Sequence, residues 1–295
     1  MRKALEWIPT EYWEEASRPG RLEKLYYETV DYFHAGKKLR KHAWVYLPPE
    51  YQKGERYLSM YFMHGAGTNL DEWIFPAGQP FAFKNVLDHM IENGDIQPVI
   101  FVFPTYYQGE YNEKNCNKDT DIGLVEYFPT ELRQDLIPAV ETGYLNLTSD
   151  YSAFSLRKKR ADRERRIFGG FSMGAVTTWN VFAECMDLFS IFCPLSGDCW
   201  RAEWMGGSRK SAETAALLAE AIENSGYEDS DYRIYCVTGE RDIALKAMSM
   251  QIEEMYRLNH LFHKNNLQFD IAENGLHNYD YGFLYLYHFL KDING

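Results

Sequence analysis

The chain has 295 residues, 45% of them hydrophobic, enough for one α/β domain with a sizeable core. Its formal net charge of -12 argues against nucleic acid or an anionic membrane as a partner. No apolar run approaches the roughly 18 residues that a membrane-spanning helix requires.

The N-terminal stretch "MRKALEWIPTEYWEEASRPG" has a basic tip but several acids and no continuous apolar segment, so it does not read as a signal peptide. The chain as written is expected in the cytoplasm, or outside the cell if a leader precedes it. Residues 1–35 read as an extension packing on a single domain that takes in residues 1–295. Runs of strand length follow in order: His42–Tyr51, Tyr57–Gly67, Pro98–Thr105, Arg166–Ser172, Phe189–Gly197, Arg233–Glu240 and Leu267–Gly275. Most lack apolar–polar alternation, which predicts strands buried on both faces of a parallel sheet. Between them, Ala82–Gly94 and Ser211–Gly226 carry helical periodicity and stop at a glycine. Pro129–Gly143 is helical in pattern, although Pro138 should kink or end it. Ala244–Asn266 predicts the longest helix, and Tyr281–Asp292 closes the chain. The alternation of strands and helices implies a doubly wound, mostly parallel α/β sheet with helices on both faces. The early strands should pair antiparallel at one edge.

Two segments break this rhythm. Tyr106–Phe128 is long and polar and reads as a loop, either a mobile insertion or a border of a binding site. Its Tyr106, Tyr107, Tyr111 and Tyr127 could offer flat contacts to a sugar, and Asn112, Asn115 and Asn117 hydrogen bonds. Leu156–Arg166, "LRKKRADRERR", reads as a solvated surface segment because acids interrupt its basic run. The five cysteines are odd in number with no C-x-x-C, so they read as small buried hydrophobes rather than a disulfide framework or zinc site.

The chemistry starts at "RRIFGGFSMGAVTTW", Arg165–Trp179. An apolar strand runs into Gly170-Phe171-Ser172-Met173-Gly174 with no polar loop before the next helix. That is the pattern of a nucleophile elbow, where strand and helix crowd so closely that flanking residues must be small. The competing reading is a plain Gly-rich turn. A serine hydroxyl needs a base, and the base an orienting carboxylate, in the chain order Ser, acid, His. Asp242, in the turn leaving the Arg233–Glu240 strand, is the favoured acid, with Glu240 its local rival. His277 is the favoured base, since it follows a strand end on a glycine turn. His260, His263 and His288 fall on predicted helices. An oxyanion would be held by backbone amides: Met173 after the nucleophile, and Ala66 and Gly67 in "MHGAGTNLDEW". No metal or organic cofactor is called for.

These motifs resemble carbohydrate esterase family one, and most closely the feruloyl esterase domains attached to bacterial xylanases. The resemblance is carried by "VYLPPEY", "YFMHGAGTNLDEW", "NVLDHMIENGDIQPVIFVFPTYY", "GGFSMGAVTTW", "CPLSGDCW", "VTGERDIA" and "GLHNYDYG". It implies an α/β-hydrolase fold with Ser172 as nucleophile, His277 as base and Asp242 as acid, and as substrate feruloylated arabinoxylan or its oligosaccharides. Trp200 and Trp73 are then candidate walls of the aryl or sugar site, or ordinary packing aromatics. The chain departs from the family in having Ala175 where glycine is commoner, and Asn278 and Tyr279 where tryptophan often follows the histidine. Other acyl hydrolases of this fold remain as rivals, namely an acetyl esterase or an S-formylglutathione-hydrolase-like thioesterase. So does a non-catalytic carbohydrate-binding protein.

Overall fold

The computed structural model describes residues 2–34, 36–78, 81–109, 111–145 and 162–293. Among these residues, nine strands form one sheet: β1 (Arg2–Lys3), β2 (Arg21–Val30), β3 (Lys38–Leu47), β4 (Leu58–Met63), β5 (Val99–Phe103), β6 (Arg166–Phe171), β7 (Ile191–Leu195), β8 (Arg233–Gly239) and β9 (Leu267–Ala272). Their order is β1-β9-β8-β7-β6-β4-β5-β3-β2. The pairs from β1 through β5 are parallel, and β3 and β2 add antiparallel at the far edge. Every residue of β5 and β6 is buried, which is why neither shows alternation in the sequence.

Helices cover both faces. α2 (Ala82–Glu92) and α9 (Tyr279–Asp292) pack on one side, with Phe62, Phe101, Phe103 and Leu195 beneath them. α3 (Lys118–Glu131), α5 (Met173–Glu184), α7 (Ser211–Ser225) and α8 (Leu245–Arg257) pack on the other, over Tyr61, Val102 and Phe168. The remaining helices are short: α1 (Leu70–Ile74), α4 (Ile137–Val140) and α6 (Gly206–Arg209). Gly226 ends α7 at φ 72°, as its sequence stop implies. Of the five cysteines, four are buried and all are free.

The structure corrects several expectations. The N-terminal extension contributes strands to both edges of the sheet, because β1 pairs β9 and β2 pairs β3. β2, "RLEKLYYETV", is half charged or exposed, as an edge strand can be, and so carries no buried-strand signature. The second half of the polar segment after β5 is helical. Asn117 accepts the amides of Asp119 and Thr120, while the Thr120 hydroxyl receives the Asn117 N–H, a reciprocal cap that starts α3 at Lys118. Pro138 does not end the helical path. Leu132–Leu136 and Glu141–Leu145 run as wider π turns on either side of α4, giving the proline ring room. α8 stops at Arg257, so α7 is longer, and His260 and His263 lie in the turns beyond. Part of the basic run Leu156–Arg166 lies outside the described residues. Its described end is only partly solvated: Glu164 and Arg165 are exposed, but Arg163 and Arg166 are buried, and Arg166 pairs with the buried Glu141.

Candidate active site

The ends of β4, β6, β7, β8 and β9 converge on Ser172. No residue but Ser172 separates β6 from α5. Its backbone sits at φ 58° and ψ −118°, a conformation that side chains other than hydrogen disfavour. The surrounding glycines answer to space. A Cβ on Gly170 would lie 2.6 Å from the Gly174 carbonyl, and one on Gly174 would lie 2.2 Å from the Met63 oxygen. The strand, the helix and the end of β4 can meet this closely only without those side chains. Ser172 N–H donates to Leu195 O at 2.9 Å, locking the elbow to β7.

Ser172 Oγ lies 2.9 Å from His277 Nε2, and His277 Nδ1 lies 2.8 Å from Asp242 Oδ1. The Asp242 side chain is wholly buried, and its Oδ1 also accepts the Ala244 amide at 2.7 Å. That second donor fixes the carboxylate, which in turn selects the imidazole tautomer with the proton on Nδ1 and a free Nε2 toward the serine. The acid and base turns are joined directly, since Arg241 N–H donates to Gly275 O at 2.9 Å. Phe171 packs on the His277 ring at a centroid distance of 4.9 Å. Glu240, the rival acid, is turned away: it pairs with Arg2 at 3.1 Å and accepts the Asn274 amide. Two of the other histidines are bound elsewhere, His263 to Asp229 and His288 to the Glu6 carbonyl. His260 is exposed.

Of the three amides expected at an oxyanion, those of Met173 and Ala66 have no acceptor among the described residues. The Gly67 amide does not join them, because it donates to Tyr107 OH at 2.9 Å. His64 is buried between Gly65 O and Thr105 Oγ1, both at 2.8 Å from its ring nitrogens. Burial pushes its pKa down to about 4. It is therefore a neutral internal brace of the turn that carries Ala66.

Trp200 is half-buried and donates to Asp198 Oδ1 at 3.2 Å, while Asp198 Oδ2 accepts the Gly207 amide at 2.8 Å. Burial raises the Asp198 pKa, and its two donors oppose that rise. Trp73 belongs to an aromatic layer with Phe62, Phe81, Phe103, Tyr279 and Phe283, beside His64. Tyr106 and Tyr107 are buried rather than offered to a sugar, and Tyr111 stacks on His34. Asn117 is consumed by the α3 cap, and Asn112 N–H donates to Asn115 Oδ1. Of the four tyrosines in that segment, only Tyr127 is a large exposed aromatic.

The family model named Esterase matches residues 38–285. The chain belongs to the Esterase family. Endo-1,4-beta-xylanase Y of Acetivibrio thermocellus is 35% identical to this esterase over 284 residues, which are 95% of the chain and 24% of the xylanase. An endo-1,4-beta-xylanase/feruloyl esterase of Xylanibacter ruminicola is 27% identical over 203 residues, 62% of the chain and 25% of that protein. The esterase chain thus spans about a quarter of the length of these curated relatives. Among solved structures, it is similar to a serine-to-alanine mutant of the feruloyl esterase module from Clostridium thermocellum, complexed with sinapinate. That match has a TM-score of 0.78 at 33% identity, covering 98% of this chain and 93% of the module. A CE1 ferulic acid esterase from Anaeromyces mucronatus shares the fold, with a TM-score of 0.70 at 18% identity over 97% of each chain. The α/β-hydrolase fold and the resemblance to xylanase-linked feruloyl esterases therefore hold for this esterase.

Sequence reasoning missed the hydroxyls of Tyr107 and Tyr279 at the His64–Asn69 turn. Spacing gives no signal for them, because each reaches the turn from a different element.

Proposed function

We propose that this protein is a serine esterase that hydrolyses hydroxycinnamoyl esters, feruloyl esters above all, of arabinoxylan or its oligosaccharides. The observation that carries the reading is the continuous hydrogen-bonded line from Ser172 through His277 to Asp242. Ser172 Oγ attacks the ester carbonyl while His277 Nε2 takes its proton. The amides of Met173 and Ala66 hold the oxyanion. Asp242 stabilises the imidazolium that forms. His277 then protonates the leaving sugar alcohol as the acyl–enzyme forms. In the second half it draws a proton from water, which attacks the acyl carbonyl, and returns that proton to Ser172 as the hydroxycinnamic acid departs.

The feruloyl preference is supported by the relatives, which are xylanases and feruloyl esterases by name. Trp200, braced by Asp198 on the turn leaving β7, is the residue proposed to line the aryl or sugar side. The test uses the wild type and Ser172→Ala on methyl ferulate, p-nitrophenyl acetate and feruloylated arabinoxylan. Loss of Ser172 should lower kcat by about 10⁴-fold or more on all three. Near wild-type turnover in Ser172→Ala would remove the assignment. A strong preference of the wild type for short acyl thioesters over feruloyl esters would move the protein to another acyl hydrolase class.

A further inference from the structure

The turn from His64 to Asn69 presents three consecutive amides, those of Gly65, Ala66 and Gly67, beside the nucleophile. A Cβ placed on Gly65 would lie 3.3 Å from the Ser172 Cβ. Two tyrosine hydroxyls from separate elements reach this turn. Tyr279, at the start of α9, accepts the Gly65 N–H at 2.9 Å and shares a 2.7 Å hydrogen bond with Thr68 Oγ1. Tyr107, just beyond β5, accepts the Gly67 N–H at 2.9 Å. The Ala66 amide between them has no acceptor among the described residues.

We propose that Tyr279 and Tyr107 are positioning residues: they occupy the Gly65 and Gly67 amides and so leave Ala66 as the one amide of this turn that joins Met173 at the oxyanion. The proposal rests on the serine esterase reading and names what sets its oxyanion geometry. A phenol hydroxyl has one proton to give and lone pairs to accept with. At Tyr279 it accepts from Gly65 and shares a second hydrogen bond with the Thr68 hydroxyl, so the two contacts together define both the position and the rotation of the turn. The ring cannot drift, being packed by Trp73 at 5.4 Å and Phe171 at 5.3 Å. Burial raises the pKa of both hydroxyls, Tyr107 to about 12, so both stay protonated through the neutral range. Tyr279 is also two residues from His277. One short segment therefore carries the base and sets the turn opposite it, which couples proton transfer and oxyanion stabilisation in one rigid piece.

Removing the Tyr279 hydroxyl frees the Gly65 N–H and loosens the turn without touching the Ser172–His277–Asp242 line. The experiment compares Tyr279→Phe, Tyr107→Phe, Thr68→Val and Thr68→Ser with the wild type. The readouts are kcat and KM on methyl ferulate, the Ki of an arylboronic acid, and the Kd of ferulate. The boronate forms a tetrahedral adduct on a serine and fills the oxyanion site, whereas ferulate, a planar acid, does not mimic that adduct. Tyr279→Phe should lower kcat about 10- to 100-fold, the range for misplacing or losing one oxyanion donor. KM and the ferulate Kd should stay within about twofold, and the boronate Ki should rise in parallel with the loss in kcat/KM, as a contact made in the transition state requires. Tyr107→Phe and Thr68→Val should shift the same quantities in the same direction, and Thr68→Ser should restore them. Wild-type kcat in both Phe variants would overturn the proposal. So would a loss confined to KM and ferulate binding with the boronate Ki unchanged. If Tyr279→Phe fails to fold by circular dichroism, Tyr107→Phe and the Thr68 pair decide the matter by the same criteria. A wild type that neither cleaves methyl ferulate nor binds the boronate overturns the esterase reading itself, an outcome distinct from the others.

Discussion

Replacing Ser172 by glycine and by alanine separates the cost of the elbow from its chemistry. Both variants remove the hydroxyl and its 2.9 Å contact with His277, so that loss cancels in the comparison. What differs is the Cβ. At φ 58° and ψ −118° a side chain of any size is strained, by about 1–3 kcal/mol, and glycine is not. Two terms oppose the gain. Glycine has a more flexible unfolded chain, worth about 0.4–1 kcal/mol against it. It also forgoes partial burial of one methyl group, worth less than about 0.8 kcal/mol. The balance leaves Ser172→Gly about 1 kcal/mol more stable than Ser172→Ala, although the proposed mechanism expects both to be inactive. Urea unfolding at pH 7 measures this difference directly, and thermal melting should separate the two by a few °C, on the order expected for 1 kcal/mol in a domain of this size. An alanine variant as stable as the glycine variant, or more so, would mean that the elbow stores no backbone strain.

Two further perturbations probe the frame of the site. Lys41 and Glu131 form a buried ion pair at 2.8 Å, with Tyr27 on the other carboxylate oxygen and the Thr105 carbonyl on the lysine. Lys41→Met should cost about 3–5 kcal/mol by leaving Glu131 charged and buried, and the double variant Lys41→Met/Glu131→Gln should recover a large part; a single variant at wild-type stability by urea unfolding would contradict this. The pKa of His64 is lowered from 6.5 to about 4 by burial, so folding favours its neutral form. That contribution is present in full above about pH 6.5 and is lost as pH falls toward 4, about 3 kcal/mol across the window. His64→Gln should flatten the dependence of unfolding free energy on pH in that range, and an unchanged slope would refute the assignment.

Much of the site was legible in the sequence because its parts are local. A buried parallel strand must be apolar throughout, so β5 and β6 announce themselves as runs. The elbow is a contact between neighbours in the chain, and its steric demand is written as Gly170 and Gly174. Asp242 and His277 are each placed by a strand end, and chain order supplies the rest. Wherever the outcome depended on a partner distant in sequence, the sequence was silent or misleading. β2 is a strand because β3 offers it ten residues of pairing, not because its own residues demand it. The polar composition after β5 reads as a loop, but the Asn117–Thr120 cap and an apolar bed built by α5 turn its second half into a helix. Position in the turn favours Asp242 over Glu240, but the choice is made in space: Glu240 faces Arg2 and the Asn274 amide, while Asp242 meets His277 and the Ala244 amide. The same holds at the oxyanion turn. Three adjacent amides look alike in one dimension. Which of them is left unpaired was decided by two hydroxyls that arrive from residues 107 and 279, because hydrogen bonds are settled by distance in space and not by distance along the chain.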